Sequence, residues 1–190
     1  YDHKNQIGGG PLKFMREHYG MNFQEAMQAL LGHSALPLSH EVQPVMAKEK
    51  KEFRFPEAND NMHRVYAYLI KQRFIAPEVI THFAKRKLLY EDKKHHNAVF
   101  VGVDSNEIPR QAHKRSTTTF GNSFRQTIEG SDTKYSFSHF GKSNMLFVVE
   151  APIDMLSFIM LYQKNWQDNS YIAMNGVYES AVLTALEEHP

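Results

Sequence analysis

Residues 145–161 read MLFVVEAPIDMLSFIML, and few folds accept such a run. Leu146–Val149 is an apolar stretch with the length and β-branched content of a buried strand. It stops at Glu150, and Ala151-Pro152 then turns the chain. Proline suits the first position of a helix, where its missing N–H has no partner to lose. Ile153, Leu156, Ile159 and Met160 follow at helical spacing, so a helix packs back on the strand just left. The pattern is strand, acid, tight turn, helix. Because α/β sheets place their chemistry at the C-terminal ends of parallel strands, Glu150 is a candidate catalytic carboxylate. Asp154 falls in the first helical turn, where a negative charge also favours the helix dipole.

The 190 residues suffice for one large or two small domains with a buried core. A net charge of +1 gives no global field toward nucleic acid, so any basic surface is local. The absence of cysteine excludes disulfides and thiolate metal sites and fits a cytoplasmic protein. No apolar run reaches membrane-spanning length, no signal peptide opens the chain, and no membrane partner is expected. The eleven histidines are scattered, and His95-His96 on a strand would face opposite ways, so they read as non-ligands. A start at Tyr1 without Met, and an end just past a helical pattern, read as a fragment.

In order, Gly8-Gly9-Gly10-Pro11 opens an amphipathic helix that Gly20 ends. The triple glycine lacks the Lys-Ser/Thr of a phosphate loop. Asn22 caps the next helix, with Phe23, Ala26, Met27, Leu30 and Leu31 as its expected buried stripe. Residues 36–58, with three prolines and a charged run at 48–52, read as a linker. Two helices follow in 59–88. Asn59 or Asp60 caps the first, which buries Val65, Tyr66, Leu69 and Ile70; Pro77 opens the second, with Val79, Ile80 and Phe83 inward. Ala98–Val103, a turn at 104–107, and 108–114 form a hairpin, and 134–140 is a third extended piece. This block holds the clustered cations Arg110, Lys114, Arg115, Arg125 and Lys134, candidates for phosphate contact. Strand alternation puts Arg110, Ala112 and Lys114 on one face and Gln111, His113 and Arg115 on the other. Residues 171–174 form a second strand, Asn175-Gly176 turns, and 180–186 is helical.

Glu150-Ala151-Pro152-Ile153-Asp154 resembles the Glu-Gly-x-x-Asp motif of the Toprim domain, shared by DnaG-type primases, topoisomerases and some nucleases. Alanine replaces the glycine, which makes a positive φ at position 151 uncomfortable. Upstream, Asn22-Phe23-Gln24-Glu25-Ala26 resembles the Ser-Phe-x-Glu-Ala helix after the zinc ligands of such primases. Any zinc ligands would lie before Tyr1. Residues 65–80 resemble the Pro-Glu helix step of the primase core. Arg115 followed by Gly130-Ser131-Asp132-Thr133-Lys134-Tyr135 resembles its basic block. The EAPID form is similar to primase-related proteins of bacterial mobile elements.

The resemblance implies an α/β fold with a partial Toprim-like, Rossmann-like parallel sheet at 143–190. Before it come a primase-like basic α+β block at 59–142, the linker at 36–58, and a helical zinc-domain tail at 1–35. It implies primase-like nucleotidyl transfer on single-stranded DNA with nucleoside triphosphates, in replication of DNA or a mobile element, alongside a helicase or other replication proteins. The alternatives are a metal-dependent nuclease or a non-catalytic DNA-binding and assembly module, with Ala151 marking a decayed site. Magnesium or manganese is implied as cofactor, with Glu150 and Asp154 as ligands. The family's Asp-x-Asp strand has no counterpart in the 190 residues, so the implied metal site is incomplete and the fragment is expected to be inactive.

Overall fold

The structure, a computed structural model, describes residues 9–31, 52–118, 123–176 and 179–189. It divides into two compact units after Lys48.

In the first unit, α1 (Pro11–His18) and α2 (Phe23–Leu31) form as the local signals dictate. Pro11 starts α1, and Gly20 takes the left-handed φ of +66° that follows it. Asn22 and Glu25 then form a reciprocal capping box: Glu25 N–H donates to Asn22 Oδ1 (2.9 Å) and Asn22 N–H to Glu25 Oε2 (2.7 Å). The expected stripe on α2 is corrected, since Ala26 alone is buried while Phe23, Leu30 and Leu31 stay exposed. Two helices this short offer little surface to each other. Residues 1–8 and most of the expected linker, 32–51, lie outside the described residues.

The second unit begins with α3 (His63–Arg73) and α4 (Pro77–Lys85). The cap of α3 differs from expectation. Glu91, fully buried in strand β1 (Leu89–Glu91), accepts the N–H groups of Arg64 (2.9 Å) and Val65 (3.1 Å), while Asn59 Nδ2 donates to its other oxygen. A strand carboxylate thus caps the helix and meets its dipole. Residues 52–58 belong to the fold: Ala58 bridges to Asp92, Tyr90 donates its hydroxyl to the Pro56 carbonyl, and Phe53 packs on the sheet. Within α4, Val79, Ile80 and Phe83 are inward as expected.

β1 pairs with β2 (Ala98–Val103), β2 with β3 (Pro109–Arg115), and β3 with β4 (Arg125–Thr127), all antiparallel. A register shift at Gly102/Val103 bends the hairpin. His95 and His96 sit in the turn between β1 and β2, not on a strand, and His96 takes φ +56°. The 134–140 piece is likewise corrected, because only β5 (Ser138–His139) is strand and Lys134 lies in a turn.

β5 crosses into a second, mixed sheet. There β7 (Ser170–Ala173) is central, antiparallel to β5 and parallel to β6 (Leu146–Val149). β6 is therefore an edge strand, which is why Val148 is exposed although the run reads as a buried strand. The helix α5 (Pro152–Leu161) buries Ile153, Met155, Leu156 and Ile159, and α6 (Ser180–Glu188) follows β7. One apolar core joins both sheets: Val65, Leu69, Ile80 and Phe83 meet Phe100, Phe137, Leu156, Trp166 and Tyr171. Each large side chain removed from water here contributes roughly 1.5–3 kcal/mol before entropy. At the seam Gly102 is essential for closeness, since a Cβ there would lie 2.7 Å from the Ser136 backbone.

Candidate functional site

Three consequences of the sequence build the site. The strand β6 runs out at Glu150, and Pro152 starts α5 at once, so the carboxylate is left at the sheet's C-terminal edge. Ala151 sits at φ −134°, ψ 156°, an extended conformation that any residue adopts, so the turn does not need the glycine of the family pattern. The parallel neighbour β7 ends beside it: Met174 N–H donates to the Val149 carbonyl (2.9 Å) and Gly176 N–H to the Glu150 carbonyl (3.3 Å). Asn175 and Gly176 both take positive φ there, +53° and +125°.

The antiparallel sheet supplies the opposite wall. Its register aligns Arg115 with Arg125 and His113 with Thr127, so these four share a face with Gln111. From that face Arg125 reaches Glu150, Nη1 to Oε1 at 3.4 Å. Both side chains are more than half exposed, 65% and 54%. Such a pair is worth at most about 1 kcal/mol, so it marks a place where opposite charges meet without locking the fold. Arg115 stands beside it with its Nε buried and, among the described residues, without a hydrogen-bond acceptor. Burial holds His113 down to about 4, and the charges of Arg125 and Arg115 add to the effect. Its imidazole is neutral at physiological pH and lies 3.4 Å from Thr127 Oγ1.

The five candidate cations are thereby sorted. Arg125 reaches Glu150, and Arg115 is its cross-strand neighbour on the same face. Arg110 and Lys114 are on the other face, as alternation requires, and each already holds an acid. Arg110 Nε meets Asp104 at 2.8 Å and Lys114 Nζ meets Asp92 at 2.7 Å. Burial, the largest influence on Asp92, would raise its pKa. Lys114 and the N–H groups of His95 and Asn97 outweigh it and hold the carboxyl below its usual range. Lys134 lines a separate cavity of about 180 Å³ with Arg86, Asp104 and Glu188. Asp154 is exposed on the first turn of α5.

Residues 147–189 match the family model described as Toprim-like, and 67–143 match that of a protein of unknown function, DUF3991. Glu150 and Asp154 both lie within the Toprim-like match. An uncharacterized protein of Bacillus anthracis is 25% identical over 195 residues, covering 96% of this chain and 55% of that protein. The chain thus spans about half the length of this relative. No solved structure matches. Glu150 belongs to the Toprim-like match and Arg115 and Arg125 to the other, so the Arg125–Glu150 pair joins the two matched segments.

Among the described residues no three His, Cys, Asp or Glu side chains gather as an all-protein metal cage requires. Magnesium, however, is commonly held by one or two carboxylates with substrate phosphates and water. The exposed carboxylates of Glu150 and Asp154 fit that smaller donor set. His113, Gln111, Thr127 and Asn175 were not among the residues expected at the site. Two signals could have found them: alternation from Arg115 along β3, and the position of Asn175 at the end of a parallel strand, the argument that singled out Glu150.

Proposed function

We propose that this chain carries the carboxylate and the phosphate-orienting cations of a primase-like nucleotidyltransferase acting on single-stranded DNA and nucleoside triphosphates. The observation behind it is the approach of Arg125 to Glu150 across the cleft, with Arg115 alongside. In nucleotidyl transfer a hydroxyl attacks a phosphoryl group, and negative charge grows on the phosphate oxygens. The residues suit each demand. Glu150 is exposed enough to receive the hydroxyl proton or to hold a cation. Arg125 and Arg115 supply donors fixed on a sheet, able to pair with phosphate oxygens in the forked geometry of guanidinium. A phosphate entering the cleft takes Arg125 from Glu150 and frees the carboxylate at the moment it is needed. The neutral His113 adds no competing charge. Magnesium or manganese, resting on Glu150 and Asp154, would neutralise the triphosphate when bound.

The test is primer synthesis from labelled ribonucleotides on single-stranded DNA by the full-length protein with magnesium or manganese. Labelled primers, lost in Glu150→Gln, are the expected result. Shortened DNA with no primer would replace the transferase by a nuclease, and neither product would overturn the reading.

A further inference from the structure

A cavity of about 190 Å³ is lined by Gln111 and Thr127 from the antiparallel sheet, by Met174 and Asn175 just past β7, and by Ser136 with the hydroxyl-bearing Thr133 and Tyr135. Of these, Tyr135 donates to Glu188. Thr127 is two residues from Arg125, and Asn175 precedes Gly176, which donates to the Glu150 carbonyl. Gln111 is 1% exposed, and its Oε1 has no hydrogen-bond partner among the described residues; the same holds for the buried Oδ1 of Asn175. The orientation of Asn175 is fixed by its neighbours. Ser136 gives its hydroxyl proton to the Ala173 carbonyl, which can only accept. Ser136 Oγ is then free only to accept, and Asn175 donates to it through Nδ2 at 2.9 Å. The carbonyl oxygen of Asn175 is thereby turned away from Ser136 and has no partner among the described residues. Buried acceptors without partners are costly and are uncommon enough to call for an explanation.

We infer that this cavity is a ribose subsite, in which Gln111 Oε1 and Asn175 Oδ1 accept hydrogen bonds from the 2′- and 3′-hydroxyls of a ribonucleotide. This rests on the cleft being a nucleotide site. Two unpartnered carbonyl-type oxygens repel a phosphate, which offers only acceptors at neutral pH. They need a ligand group that donates twice. The neighbouring wall is the reverse, with the donors Arg125 and Arg115 suited to phosphate. A cleft with donors on one side and acceptors on the other fits a molecule whose anionic and hydroxyl-bearing parts are adjacent. At about 190 Å³ the cavity is smaller than the roughly 300–1,000 Å³ of a whole-ligand pocket, so it takes one part of the nucleotide. The sugar is the part bonded directly to the phosphates, and its diol is common to all four ribonucleotides. A deoxynucleotide lacks one donor and leaves one acceptor buried and unpaired, which is how such sites discriminate.

Equilibrium binding of ATP, 2′-deoxyATP and UTP to the full-length protein tests this, with Gln111→Met and Asn175→Gly as variants. Methionine keeps the volume without the acceptor, and glycine tolerates the positive φ at position 175. The parent should bind ATP and UTP alike and 2′-deoxyATP about tenfold more weakly, the equivalent of one good hydrogen bond. With Gln111 as acceptor for the 2′-hydroxyl, Gln111→Met should reduce that preference to about twofold or less with 2′-deoxyATP affinity unchanged. Asn175→Gly, which removes the acceptor for the 3′-hydroxyl, should instead weaken ATP and 2′-deoxyATP by a similar factor. Two variants that both leave the preference intact would overturn the assignment. Because Gln111→Met removes an unsatisfied acceptor, its melting temperature should equal or exceed the parent's. ATP and 2′-deoxyATP binding equally, with both weakened by Arg125→Ala, would overturn the ribose subsite and keep the phosphate cleft. A preference for ATP over UTP that ignores the sugar would assign the donors to the base and overturn it too. No nucleotide binding at all would overturn the cleft itself.

Discussion

Glu150 occupies its place because an apolar strand and a proline-started helix leave one residue between them at the sheet edge. The only side-chain hydrogen bond found for it among the described residues is the 3.4 Å contact from Arg125, and no core packing depends on it. Glu150→Gln should therefore change stability by no more than about 1 kcal/mol while turnover falls by orders of magnitude. Thermal melts beside activity assays check both halves, and undiminished turnover would remove Glu150 from the chemistry. This carboxylate was legible from the sequence because local pattern alone places it. The partners were not. Arg110, Lys114, Arg115, Arg125 and Lys134 are equivalent as residue types, and what separates them is register and neighbours. Arg110 and Lys114 meet Asp104 and Asp92, and the second acid is folded against its cation by a turn with no hydrophobic signature. Ala151 shows the converse, a departure from the family pattern that its extended backbone makes harmless.

Long elements with a clear period, such as α4, α5 and the β2–β3 hairpin, could be read from spacing. Strands β1, β4 and β5 have three, three and two residues, too few for any period to show. They are strands because neighbours hydrogen-bond to them, and those pairings are decided by tertiary packing. The α3 cap has the same origin: Glu91 is 26 residues from Val65, so no local motif announces it. The seam between the sheets depends on Gly102. A Cβ there would press on the Ser136 backbone, which cannot move aside as a flexible side chain would. Gly102→Ala should destabilise by about 1–3 kcal/mol, the usual range for overpacking. A shift of the denaturant midpoint at constant slope would register it, and an unchanged midpoint would show that the sheets do not meet this closely.

The second unit behaves as one body because a single core spans both sheets, and histidines sit within it. His82 stacks edge-on against Trp166 and His139, with His82 Nε2 and His139 Nδ1 3.3 Å apart. Burial, with the nearby His139 and Arg86, lowers His82 to about 4, and burial with two arginines does the same for His113. Unfolded, each titrates near 6.5. Between those values the unfolded chain binds more protons than the folded one, so stability should fall as pH drops from about 6.5 to about 4. Below that the histidine contribution is constant, and further loss comes from carboxylates such as Asp92, whose pKa is held down in the fold. Denaturant midpoints across that range measure it, and His82→Gln should flatten the slope. We propose above all that the two sheets share one phosphate-binding surface at Glu150. The salt dependence of single-stranded DNA binding tests it most directly. Replacing Arg115 and Arg125 together by Gln should weaken binding and flatten the plot of log affinity against log salt by roughly 1.4, at about 0.7 for each phosphate no longer neutralised. Replacing Arg110 and Lys134, which lie away from the cleft, should leave that slope near the parent's. A slope that collapses without Arg110 and Lys134 but persists without Arg115 and Arg125 would contradict the cleft.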